Sequence, residues 1–355
     1  MEVKKHRFNY EWTLKDSKFT KDKGKVFSCF ACGGGSTMGY KLAGFDVLGC
    51  NEIDTKMIEA YKTNHNPKYS YLEPIQTFKE RKDLPKELYN LDILDGSPPC
   101  SSFSMAGNRE KDWGKDKKFK EGQSKQVLDT LFFDFIDLAK ELQPKVVVAE
   151  NVKGLLLGNA IQYVSEIYKQ FDDAGYYCQH WLLDASKMGL PQRRERVFFV
   201  CLRKDLAEPF MKINNLFEDK PYLDLYFNEK QIPFSEVEEI DNNRIELSES
   251  LKNRWNKAND YGIYDERARG GIKFGFFKKL IRWRVSGTVM SGGGYSIESS
   301  PHEINKNEFC KLGSYPLDYN FLGNKPQYLI GMSVPPIVMA NISEQIYIQW
   351  LKHIK

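Results

Sequence analysis

KVFSCFACGGGSTMGYKLAGFDVLGCNEID, residues 25–54, is the stretch whose reading decides the fold. The apolar run Lys25–Cys29 reads as a strand buried on both faces. It passes into Phe30-Ala31-Cys32-Gly33-Gly34-Gly35 and then into a helix-like segment. Glycines at a strand-to-helix turn let a ligand approach the backbone, and the helix start offers N–H groups to it. A second run, Asp46–Asn51, ends in Asn51-Glu52-Ile53-Asp54. A carboxylate at the end of the second strand, about 20 residues past the turn, is where an α/β nucleotide site holds ribose hydroxyls. The ligand this predicts is a dinucleotide or another adenosine-containing cofactor.

Outward from this unit the pattern repeats. Leu91–Asp95, Lys145–Glu150, Tyr177–Leu183 and Val197–Leu202 read as further strands, and Lys125–Leu142 and Ala160–Ala174 as helices between them. The alternation predicts a doubly wound, Rossmann-like α/β domain with a mostly parallel sheet. After Arg203 the sequence turns polar and Asn/Pro/Gly-punctuated, which predicts a second, smaller, irregular domain over 204–322. The apolar helix read at Pro335–Leu351 needs a core to pack on, so 323–355 is expected to complete the first domain, 1–203, with 1–24 as an N-terminal arm.

At 355 residues the chain is long enough for one well-buried core and a smaller domain. Its 41% hydrophobic and 28% charged residues exclude disorder over most of its length. No apolar run approaches the ~18–20 residues of a membrane span, and the start lacks a signal-peptide core, so a cytoplasmic protein without a membrane partner is expected. Seven scattered cysteines argue against a disulfide framework. Cys29 and Cys32 have no second Cys/His pair to complete a zinc site, so no metal is expected. Net charge is only +4, yet 205–250 carries −8 and 252–284 carries +7, the latter interleaved with Trp255, Tyr261, Tyr264, Phe274 and Trp283. Cations mixed with aromatics suit a surface that meets phosphates and bases, as well as a solvated face over a small core.

The reactive groups are read at strand ends. LDILD runs into Gly96-Ser97-Pro98-Pro99-Cys100, where two prolines stiffen the approach to a thiol. KVVVA ends at Glu150-Asn151-Val152, and Gln192-Arg193-Arg194-Glu195-Arg196 precedes VFFVCL. Thiol, carboxylate and guanidinium at neighbouring carboxyl-terminal edges suit nucleophilic attack on a polar ring. The segment Ser101–Gly122, with three glycines and many lysines, is a candidate loop to close over a ligand.

These residues carry a resemblance. The chain resembles the cytosine-5 DNA methyltransferase family in FACGGGSTMGYKLAGFDVLGCNEID, DILDGSPPCSSFSMAG, ENV, QRRERVFFV, RVSGTVMSGGG and the stretch from INKNEFCKLGSYPLDY to GMSVPPIVMANI. The ordered matches span roughly 25–345. The resemblance implies S-adenosylmethionine as cofactor and double-stranded DNA as partner, and admits a cognate restriction endonuclease acting separately. It implies Cys100 as nucleophile, Glu150 as the acid that binds and activates the cytosine, and Arg196, with Arg194 beside it, at the base's carbonyl edge. Glu52 matches the ribose-binding acid and Phe30 and Ile53 the residues flanking adenine. Gly33, Gly35, Ile75, Ser97, Leu131 and Val334 complete the implied cofactor site. Implied DNA contacts are Ser104, Arg282, Arg284 and Thr288, and 204–322 becomes the target-recognition domain. The chain departs from the family pattern at Cys32, where the pattern has glycine, at Glu73-Pro74 beside Ile75, and at Met332, where it has asparagine. A tRNA cytosine-5 methyltransferase and a catalytically silent DNA-binding adaptor are the competing readings. A nicotinamide oxidoreductase would leave the Pro-Cys segment unexplained.

Overall fold

The structure is a computed structural model and describes residues 6–99, 130–158, 160–211, 220–240, 243–265 and 276–354. Its strands are β1 (Lys25–Cys29), β2 (Asp46–Glu52), β3 (Tyr69–Leu72), β4 (Ile93–Gly96), β5 (Val146–Val152), β6 (Tyr176–Asp184), β7 (Gln192–Arg193), β8 (Glu195–Arg203), β9 (Ile263–Asp265), β10 (Phe276–Leu280), β11 (Ser286–Gly287) and β12 (Gly294–Ile297). The helices are α1 (Gly35–Ala43), α2 (Thr55–His65), α3 (Ile75–Phe78), α4 (Leu131–Leu142), α5 (Ala160–Asp173), α6 (Glu249–Lys257), α7 (Lys306–Gly313), α8 (Pro326–Met332) and α9 (Pro336–Gln349).

The chain divides into two compact units. One, the sheet unit, comprises Lys18–Leu183, Glu195–Tyr226 and Met339–Lys355. Its seven strands run in the order β3-β2-β1-β4-β5-β8-β6. Neighbours from β3 to β5 are parallel, and β8 runs antiparallel to β5. The order reverses between β1 and β4, the switch point where open α/β sheets take their ligands. Strand β3 escapes sequence reading because its YSYL is a partly exposed edge without an apolar run. The helices bury apolar stripes at helical spacing: Leu131, Phe132, Phe135, Ile136 and Ala139 on α4, and Tyr163, Val164, Ile167 and Phe171 on α5. These join Phe27, Leu94, Val147, Val197 and Phe199 in one core, each large side chain contributing roughly 1.5–3 kcal/mol. Asp54 starts α2 by accepting from the N–H groups of Lys56 and Met57 (2.8 and 3.2 Å).

The second unit comprises Met1–Ser17, Asp184–Arg194 and Phe227–Val338. It holds a three-stranded sheet, β12-β10-β9, and the parallel pair β11-β7. Leu247, Tyr264 and Phe277 form a small core under Leu251 and Trp255. A capping box between Asn305 and Glu308 opens α7.

These bounds differ from the expected 204 and 322, and long-range hydrogen bonds account for the difference. Residues 220–226 stay with the sheet unit because the Trp350 indole donates to the Tyr222 carbonyl (2.7 Å) and the Gln349 amide bonds both N–H and C=O of Asp224 (2.8 and 2.9 Å). The N-terminal arm joins the second unit. There Leu14 and Lys15 donate N–H bonds to Asp318 (2.7 and 3.0 Å), and the Trp12 indole donates to the Ser314 carbonyl (2.9 Å). Among the described residues no helix is long and apolar enough to cross a membrane.

Candidate active site

Strand register lines up the candidate residues of the sheet unit. Cys29 is paired with Asn51 on one side and Gly96 on the other, and Gly96 with Ala149. One residue further along each strand stand Glu52, Phe30, Ser97 and Glu150, a row along the carboxyl-terminal edge of β2, β1, β4 and β5.

The left of this row is the glycine turn. Glu52 is buried, and its carboxylate accepts three backbone N–H bonds, from Cys32 (2.7 Å), Ile53 (2.8 Å) and Asp54 (3.0 Å). Burial raises its pKa above the usual carboxylate range, and the three N–H donors oppose that rise. Cys32 takes φ +49°, a left-handed conformation that costs an L-residue roughly 1–2 kcal/mol, at the place where the family pattern has glycine. Gly34 caps α1 at φ +86°, and a Cβ there would lie 2.2 Å from Nε2 of His65. That imidazole donates to the Gly33 carbonyl (3.2 Å), and burial pushes its pKa down to about 3, so it is neutral. Phe30 and Ile53 are half-buried, and the Phe30 ring meets Phe135 edge-on at 6.4 Å. Gly33 and Gly35 are buried in the turn, whereas Ile75 and Leu131 belong to the apolar core.

Asp95, which sequence reading passed over, lies under the turn at the switch point. It accepts from the Ser28 hydroxyl (2.7 Å) and the Tyr40 phenol (3.2 Å), and is 2% exposed. Burial raises its pKa to about 7, Glu150 adding to the effect and hydrogen bonds from Ser28, Tyr40 and Ser36 opposing it. Its position in the LDILD run was legible; its burial was not.

The right of the row is polar. Glu150 and Arg196 form an ion pair, Nε to Oε1 at 3.0 Å, between half-buried side chains on β5 and β8. The amide of Asn151 donates to the Pro98 carbonyl (3.2 Å), tying the end of β5 to the chain that leads to Cys100. Cys100, Ser104 and the Ser101–Gly122 loop lie outside the described residues.

The Gln192–Arg196 motif is shared between the units. Arg196 belongs to the sheet unit, and Arg194 to the second unit. There its 3% exposed guanidinium donates to the carbonyls of Val289 (3.3 Å), Gly331 (3.1 Å) and Ser333 (3.0 Å). Val334 is buried in the same unit. Arg282 and Arg284 are exposed, paired with Glu238 (3.2 Å) and with the Asp260 carbonyl (3.0 Å) respectively. The Thr288 hydroxyl donates to the Arg193 carbonyl (2.8 Å).

A family model for C-5 cytosine-specific DNA methylases matches residues 24–348. The chain belongs to this family. Among the methylases it is similar to is the type II methyltransferase M.FnuDI of Fusobacterium nucleatum, 37% identical over 182 residues, 51% of this chain and 48% of that one. It therefore spans about half the length of that relative. Similarity to the type II methyltransferase M1.HphI of Haemophilus parahaemolyticus is 28% over 334 residues, covering 89% of this chain and 85% of the relative. In fold the chain is similar to a solved mutant of DNMT2 from Spodoptera frugiperda, with TM-score 0.60, 17% identity, and 91% and 99% of the two chains covered. Membership of the family implies a methyl donor.

Proposed function

We propose that the chain transfers a methyl group from S-adenosylmethionine to carbon 5 of a cytosine flipped out of double-stranded DNA, through a covalent adduct on Cys100. The observation that carries this reading is the register row itself. It joins an adenosine-type carboxylate, Glu52, to the Glu150–Arg196 pair across four adjacent parallel strands. What supports the donor here is a buried carboxylate at the end of β2, with Phe30, Ile53 and Ser97 each partly exposed beside it in sequence or register. When bound, S-adenosylmethionine supplies an electrophilic methyl on a sulfonium.

In this reading the Cys100 thiolate attacks ring carbon 6, which places electron density on carbon 5. Glu150, carrying a proton when the base binds, donates it in a hydrogen bond to ring nitrogen 3 and so stabilises the charge that develops there, while Arg196 holds both Glu150 and the base's carbonyl. Once carbon 5 has taken the methyl group, a base removes its proton, and the electron pair left behind expels the Cys100 thiolate and restores the ring. No side chain reaches a stacked base in this way, so the cytosine leaves the duplex at a cost of a few kcal/mol. Target reading falls to the second unit, where Arg282, Arg284 and Thr288 stand.

The test is a duplex with fluorine at carbon 5 of the target cytosine. Methyl transfer then leaves no proton to remove, and a Cys100 adduct should survive denaturing electrophoresis only when S-adenosylmethionine is present. Cys100→Ser should give none. An adduct mapped to another cysteine would overturn the site, and trapping by tRNA but not by duplex DNA would overturn the substrate.

A further inference from the structure

Arg194, Arg244, Lys278 and Lys311 have buried side chains. Three of them meet several acceptors or a carboxylate: Arg194 has three carbonyls, Arg244 has the Glu308 carboxylate at 2.6 Å, and Lys311 has Glu239 at 3.0 Å and Glu11 at 3.3 Å. Lys278 is different. Its ammonium has the Thr288 carbonyl at 3.4 Å and the Phe276 ring at 5.7 Å, and no carboxylate of the described residues pairs with it. Burial alone lowers its pKa to about 8. An ammonium has three donors, so a single long bond leaves most of its hydrogen-bonding capacity unused.

The surroundings keep the ammonium where it is. Lys278 sits on the middle strand β10, its neighbour Phe277 forming the small core of the second unit. The side chain ends over Gly287, where a Cβ would lie 2.3 Å from Nζ. A side chain at 287 would push the ammonium aside. Lys278 lines a groove of about 620 Å³ together with Gly287, Arg193, Tyr261, Trp283 and Arg284. Tyr261 and Trp283 are each 70% exposed, and Arg284 lies over the Tyr261 ring at 4.8 Å. A rim of aromatics and exposed cations around a fixed, desolvated donor is a recognition groove rather than a solvated face.

We propose that Lys278 is a specificity-determining residue that donates to the O6/N7 edge of a guanine in the target sequence. The inference rests on duplex DNA being the substrate, as argued above. Exposed cations such as Arg282 and Arg284 suit phosphates, which carry no sequence information. A base edge needs a donor held in place. Guanine offers two adjacent acceptors in the major groove, whereas adenine and cytosine present an amino donor that an ammonium repels. Adenine and thymine each offer one acceptor and cytosine none, so a wrong base satisfies the buried ammonium less fully than guanine, which gives discrimination of roughly ten- to hundred-fold.

The test uses the full chain with S-adenosylmethionine on duplexes randomised around one cytosine, read by bisulfite sequencing. Wild type should require guanine at a defined position. Lys278→Met should relax that position ten-fold or more and leave the others as they were. Gly287→Ala, which displaces the ammonium while keeping every charge, should relax the same position, and it decides the matter if Lys278→Met does not fold. A uniform loss over all sequences, with the salt dependence flatter by about one unit of slope, would make Lys278 a phosphate contact and overturn the proposal. An unchanged preference in both variants would overturn it too. A wild type that methylates no duplex would overturn both this proposal and the substrate on which it rests.

Discussion

Replacing Asp95 by asparagine should change how stability depends on pH, in a direction the structure determines. Asp95 is 2% exposed, and burial is the main cause of a pKa near 7 against its ordinary 3.8. That displacement is worth roughly 4 kcal/mol. Below about pH 4 the carboxyl is protonated in the folded and unfolded chains alike. As pH rises the unfolded chain ionises first, so the folded state loses stability until its own carboxyl ionises near pH 7. His65 acts oppositely in an overlapping window. Its folded pKa is held down to about 3 from 6.5, so the unfolded chain takes the proton and stability rises with pH. Because His65 is present in both proteins, it cancels from their difference. Asp95→Asn also places an amide where Ser28 and Tyr40 donate, an offset that does not vary with pH. Urea unfolding of both proteins in steps from pH 4.5 to 7.5 separates the two effects. The wild type should lose about 3–4 kcal/mol relative to Asp95→Asn across that range. Parallel curves would show that Asp95 ionises like an exposed carboxyl and would refute the reasoning.

Other perturbations test the same framework. Arg194→Met strands three buried carbonyls and should cost roughly 3 kcal/mol or more of stability, seen as a lower melting temperature with cofactor affinity retained. An unchanged melting temperature with turnover lost would place Arg194 at the reacting base instead. Glu308→Ala leaves Arg244 buried without the carboxylate it bonds at 2.6 and 2.8 Å, and should destabilise the chain by about 3–5 kcal/mol in thermal unfolding. Glu52→Ala should weaken S-adenosylmethionine roughly ten- to hundred-fold by calorimetry. Unchanged affinity would put the adenosine elsewhere.

The first strand, its glycine turn and the acid ending the second strand were readable from sequence because each is a local signal: an apolar run, a turn chemistry, a fixed spacing. Strand β1 was read at its observed limits, Lys25–Cys29, and α5 within one residue of its end, for the same reason. The ordered motifs also determined the family, since they lie along the chain in a sequence that needs no fold to be recognised. What tertiary structure alone decided is which of these signals meet. The register that brings Glu52, Phe30, Ser97 and Glu150 into one row joins residues as far apart as positions 30 and 150, and it depends on pairing order rather than on any period. The parting of Arg194 from Arg196, two residues apart, follows from three carbonyls contributed by residues about a hundred or more positions away. The same holds for charge. Asp95 and Lys278 look like ordinary solvated residues in sequence, and only the packing that removes water from around them makes one carboxyl hard to ionise and leaves one ammonium short of partners.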